Sequence, residues 1–114
     1  MDSILDSVKK ALGLSSDYTA FDPEIIMHIN SVLSTVTQLG VGPEGGFSID
    51  DATDTWSDFF EPDSRLDFVK TYVYLKVRLV FDPPANSFVV TSMEKQASEL
   101  EWRIAVAKEN ANEN

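Results

Sequence analysis

At 114 residues, with 43% hydrophobic and 25% charged residues, the chain has the makeup of one globular domain able to bury roughly two-thirds of its unfolded surface, which excludes a disordered polymer. It contains no cysteine, which excludes disulfides, thiolate chemistry and Cys-based metal sites and suits a reducing compartment. A formal net charge of −10 opposes nucleic-acid binding, because phosphate affinity comes from Lys and Arg; the acidic surface serves solubility, with mimicry of DNA as the sharper alternative.

The amino terminus, Met1-Asp2-Ser3-Ile4, has neither the positive charge nor the apolar run of a signal peptide, so no export is expected. Ser3 and Asp6 have capping-box spacing, in which each side chain satisfies a backbone N–H at a helix start. The first predicted helix carries Leu5, Val8 and Leu12 on one side, places Lys9 and Lys10 at the negative end of the helix dipole, and stops at Gly13. A second start signal is Asp22-Pro23-Glu24, with Asp22 as N-cap and Pro23 at the first helical position, where its missing N–H costs nothing. Ile25, Ile29, Val32, Val36 and Leu39 then form one apolar stripe that Gly40 ends. Ser31, Ser34 and Thr35 occupy the other side.

Between Gly40 and Asp54 the helical period is lost, and Gly40, Gly42, Pro43, Gly45 and Gly46 mark a long loop. Phe47 and Ile49 alternate with Ser48 and Asp50, which suits a brief extended segment anchored by the two apolar side chains. Thr55 to Phe60 reads as one helical turn, with Trp56, Phe59 and Phe60 supplying apolar area. Glu61-Pro62 breaks the chain direction, and Ser64 with Asp67 repeats the capping pattern ahead of a helix reaching Phe81. Its length exceeds that of common strands, although its Val and Tyr content suits a strand as well.

Two apolar stripes run along that helix. Leu66, Val69, Val73, Val77 and Val80 lie on one, and Phe68, Tyr72, Leu75 and Leu79 on the other, leaving Lys70, Tyr74 and Arg78 as a narrow polar face. A surface helix needs one apolar face of roughly 100°, so this one is central in its domain, shared with a partner, or both. Its apolar-rich part, Val69 to Phe81, is interrupted by Lys70, Lys76 and Arg78 and is too short to span a bilayer. Asp82-Pro83-Pro84 stops it, Asn86 or Ser87 caps a last helix, and Val89, Met93, Ala97, Leu100 and Ile104 form that helix's stripe, with Glu99 and Arg103 paired at i,i+4. The predicted fold is all-α: a small bundle of about four helices plus a short helical turn, forming one domain over residues 1–108 with a polar tail over 109–114.

Candidate sites are few. The Gly-rich run lacks the Gly-Lys-Ser/Thr ending of a phosphate loop and is followed by acids. Asp50, Asp51, Asp54, Asp58, Glu61 and Asp63 concentrate carboxylates, but their spacing does not match a calcium loop and capping accounts for several of them. The single histidine, His28, flanks an apolar face and has no Ser-centred nucleophile motif to serve, so it reads as hydrogen-bonded within the fold. No catalytic residue, metal site or cofactor is expected. Trp102 lies off the stripe of the last helix, near Ala105 and Val106, and either packs against the loop containing Phe47 or is buried on assembly.

The segments FDPEIIMHIN (21–30), QLGVGP (38–43), TWSDF (55–59), VKTYVYLKVRLVFDPP (69–84) and LEWR (100–103) resemble, in this order, the small head-to-tail connector or adaptor proteins of long-tailed phages and prophages of Gram-positive bacteria. That resemblance implies an all-helical structural subunit of the virion, assembled in the host cytoplasm into a ring, usually dodecameric, beneath the portal protein. It further implies contact with a stopper or tail-completion protein and passage of genomic DNA without specific binding. Candidate subunit or portal contacts are Phe68, Tyr72, Leu75 and Leu79 on the second stripe, with Phe47, Trp102 and Val106 beside them; Asp50, Asp51 and Asp54 are candidate channel-facing acids. A monomeric acidic binding module, such as a DNA mimic or inhibitor, and a small carboxylate-dependent enzyme are the competing readings.

Overall fold

The computed structural model describes residues 3–60 and 64–112, as backbone alone at 64–66 and 107–112. Five helices are present among the described residues: α1 (Ile4–Ala11), α2 (Asp22–Gln38), α3 (Trp56–Phe59), α4 (Ser64–Phe81) and α5 (Ser87–Asn112). Helix α4 lies between α2 and α5, and α1 packs on α2 and α4.

Helix α1 starts at the predicted cap, with Ser3 Oγ accepting from Asp6 N at 3.2 Å as one half of the expected box, and the chain turns away at Gly13 with φ +84°. Helix α2 starts differently. Phe21 holds the N-cap position without a side-chain bond, and Asp22 is the first helical residue rather than the cap. Its carboxylate is drawn instead to Lys9 Nζ, 2.8 Å away. Lys9 is 0% exposed and also donates to Ser16 O at 3.1 Å, so the lysine placed at the negative end of the α1 dipole is also a buried tie between α1 and the start of α2. At the other end of α2, Gly40 N donates to Thr37 O and Val41 N to Val36 O. With Gly40 at φ +95°, this is a Schellman stop, and Val41 packs back into the core.

From Leu39 to Thr55 there is neither helix nor strand, apart from one antiparallel bridge between Ser3 and Thr55. Ile49 is buried there, and Asn30 of α2 holds it as a neighbouring strand would: Ile49 N donates to Asn30 Oδ1 at 2.7 Å, and Asn30 Nδ2 donates to Ile49 O at 3.0 Å. Gly42 lies so close to Phe59 that an added Cβ would stand 2.7 Å from its ring. Thr55 and Asp58 close a reciprocal capping box around α3, and the buried Trp56 donates its indole N–H to Ser7 Oγ of α1 at 2.9 Å.

Helix α4 is the central element. Val69, Tyr72, Val73, Leu75 and Val77 are all buried, so members of both predicted stripes enter the core. Val80, the last member of the first stripe, is 60% exposed, one residue before α4 ends. Asn86 caps α5, its Oδ1 accepting from Phe88 N at 2.8 Å and Val89 N at 3.3 Å. Val89 is exposed, and the inward stripe begins at Met93 and continues through Ala97 to Ile104. Helical backbone continues through Asn112, past the point at which the tail was expected, since Ala, Lys and Glu there favour helix and no Gly or Pro intervenes. The Glu61-Pro62 break, the cap assigned to Ser64 and the side chain of Leu66 lie outside the described residues.

Candidate functional site

The seven apolar residues expected at contacts with other proteins fall into two groups. Tyr72 is 0% exposed and Leu75 is buried, both within this chain's own core. Tyr72 Oη donates to Glu101 Oε2 at 2.9 Å, tying α4 to α5. Burial, that hydrogen bond and the nearby Glu101 charge push the phenol above its ordinary range. These two residues offer no surface. The period of the helix placed them on a second stripe correctly, but α5 already covers that stripe.

Phe68, Leu79, Phe47 and Val106 are half-buried, whereas Trp102 is 67% exposed. Phe68 has the Arg103 guanidinium 6.0 Å from its ring. Phe47 stands edge-on to Phe59 with centroids 5.5 Å apart, so the loop does pack through Phe47, though on α3. The Trp102 indole points out from α5, directly opposite the buried Ile104. Phe88, at 85% exposed, adds apolar surface at the α5 N-terminus. Phe88 lies on no apolar stripe of the sequence, and Val80 ends one; both are exposed.

The acids of the 50–54 turn cap their own backbone. Asp54 Oδ2 accepts from Asp50 N at 2.7 Å and Asp51 N at 3.4 Å, and Asp51 Oδ1 accepts from Thr53 N at 2.8 Å and from the Thr53 hydroxyl. The two Thr53 hydrogen bonds hold the Asp51 carboxyl below the usual carboxylate range. Asp50 and Asp51 are exposed and Asp54 is half-buried. No group of three His, Cys, Asp or Glu side chains converges as a metal site would require among the described residues. His28 packs its ring against Phe81 at 6.5 Å.

Charge is divided unevenly along the chain. Residues 1–63 carry 12 acids and two lysines, and residues 64–114 carry seven of each sign, so the entire −10 belongs to the first half. From residue 11 to residue 64 there is no Lys or Arg at all. Within that zone, on the side of α2 away from α4, the loop leaves a cleft of about 470 Å³ lined by Asn30, Ser34, Gln38, Glu44, Gly46 and Phe47 among others. It holds oxygen acceptors, one carboxylate and one aromatic ring, and no cation.

No described helix is long and apolar enough to cross a membrane. No curated protein and no solved structure matches the chain. A family model described as phage connector protein matches residues 4–111, which takes in every helix described above. The chain therefore belongs to the phage connector protein family, a family of structural proteins.

Proposed function

We propose that this chain is a head-to-tail connector subunit that assembles as a ring beneath the portal, links the DNA-filled head to the stopper or tail, and extends the DNA channel. The family match over residues 4–111 is the observation that carries this reading. Twelve copies follow from the resemblance of segments such as VKTYVYLKVRLVFDPP to dodecameric connectors, and the finished subunit resides in the virion after assembly in the host cytoplasm. Apolar surface left uncovered at Trp102, Phe88 and Val80, with Phe68, Leu79 and Val106 half-exposed beside α5, provides area for neighbouring subunits and portal. Exposed Trp is enriched among the residues that anchor protein interfaces.

In this reading Asp50 and Asp51 face the channel. Their carboxylates are exposed; an anionic wall lets DNA slide because there is no cation to hold its phosphates. Asp54 contributes chiefly by fixing the turn, since one of its oxygens accepts from two backbone N–H groups.

Co-sedimentation with purified portal protein tests the assignment. The chain is expected to pellet with portal and to appear as an added ring by electron microscopy. Saturating portal that takes up none of it, under conditions where tails attach to heads, overturns the assignment. A monomer in solution is expected in either case, because the portal supplies the template.

A further inference from the structure

We infer that copies of this chain meet head-to-tail through two named faces: the Trp102–Arg103 edge of α5 on one copy enters the cleft between α2 and the Gly-rich loop of the next, with the Arg103 guanidinium against the Glu44 carboxylate. This inference rests on the ring reading above and specifies its contact.

Placement comes first. Helix α4 separates α2 from α5, Trp102 points away from the core side of α5 marked by Ile104, and Ser34 and Gln38 lie exposed on α2 away from buried Val32 and Val36. The two faces are thus on opposite sides of one subunit, as a contact that repeats around a ring requires. A two-fold contact of the cleft face with itself would set two cation-free surfaces together, since each spans residues 11–64 without a Lys or Arg, and like charge selects against such pairings.

Chemical fit comes second. Ser34, Gln38 and Glu44 offer the cleft's acceptors and Phe47 an aromatic ring, which together suit a guanidinium, whose planar fork bonds carboxylates and stacks on aromatics. Gly45 has no neighbouring atom within 4 Å of where a Cβ would stand, leaving room for an indole against the loop. On the α5 side, Trp102 and Arg103 are adjacent and exposed, and these two residue types are enriched among residues that dominate interfaces. Arg103 currently pairs with Glu99 at 2.8 Å, with both side chains about half exposed. A solvated i,i+4 pair of this kind holds little energy, so a partner carboxylate has chiefly the contact with the Phe68 ring to displace.

A charge swap tests the contact. All the residues concerned are exposed, so circular dichroism should report unchanged helix content in each variant. Ring formation on portal, read by co-sedimentation and electron microscopy, should weaken about tenfold for Glu44→Arg and for Arg103→Glu, and the double variant should recover to within about threefold of the unaltered chain. Trp102→Ala should weaken it about thirtyfold. Asp17→Arg, an equal charge change on an exposed site outside the cleft, should have a smaller effect than Glu44→Arg. Single variants that assemble normally, a double variant no better than the singles, or an Asp17→Arg loss equal to that of Glu44→Arg would each overturn the contact while leaving the ring intact as a reading. Failure of the unaltered chain to form any ring on portal overturns both.

Discussion

Residues 3–60 are pinned by polar side chains reaching across the sequence, whereas α4 and α5 are held mainly by apolar contact, with a tyrosine hydrogen bond between them among the described residues. In the first region Lys9 joins α1 to Asp22 and Ser16, Asn30 pairs with the Ile49 backbone, and Trp56 donates to Ser7. In the second, Tyr72 and Leu75 of α4 and Met93, Ala97 and Ile104 of α5 are buried, and among the described residues the hydrogen bond from Tyr72 to Glu101 links the two helices. The difference follows from backbone geometry. Two long helices satisfy their own backbone groups and need only a continuous apolar stripe, whereas a 17-residue segment from Leu39 to Thr55 without helix or strand must find external partners for its buried N–H and C=O groups.

That contrast predicts a graded series of stability losses, measured by denaturant unfolding. Trp56→Ala should cost the most, about 3–5 kcal/mol, because it empties a buried aromatic site and leaves the Ser7 hydroxyl without its indole donor. Lys9→Met keeps most of the buried stem and removes the charge; a loss of about 2–3 kcal/mol is expected, at the low end for a buried pair because Asp22 retains some access to water. A neutral result there would mean that Lys9 contributes packing alone. Asn30→Ala should cost about 2 kcal/mol and raise amide exchange at Ile49, since both hydrogen bonds that hold its backbone are removed.

On the α4–α5 side the expected effects are smaller. Tyr72→Phe should cost about 1 kcal/mol at neutral pH through loss of the bond to Glu101. It should also flatten the alkaline limb of the stability curve. The folded phenol's pKa is raised, so the stabilisation is complete below about pH 10, the unfolded value, and is lost as pH rises beyond it. Phe88→Ser should change stability by less than about 0.5 kcal/mol, because the side chain is almost wholly in solvent. A large loss from Phe88→Ser would show that the α5 N-terminus is covered within the single chain and would dissolve the contrast.

The same contrast explains what could be read from the sequence. Pro23, Gly40, Asn86 and the Asp82-Pro83-Pro84 stop act locally, and they located both ends of α2, the end of α4 and the start of α5 within a residue or two. The bonds from Lys9 to Asp22, Asn30 to Ile49 and Ser7 to Trp56 span 13, 19 and 49 positions, and no period or cap marks them in advance. The candidate docking face was legible only in part. Periodicity identified α4 as apolar on two sides, but which side another helix covers depends on how α5 packs. Tyr72 and Leu75 therefore went to the core, and Val80 and Val89 to the surface.

The stretch without Lys or Arg governs how an assembled particle can be mapped. Trypsin, which cuts after Lys and Arg, releases residues 11–65 as a single fragment carrying α2, the Gly-rich loop and α3, and no interior cut reports which part of it is shielded. Amine-directed crosslinkers likewise have nothing to grip on the outer face of α2. Carboxylate-activating reagents and acid-specific proteases reach Glu24, Glu44, Asp50 and Asp58, all exposed, and they are the chemistry with which the neighbours of this half of the subunit can be found.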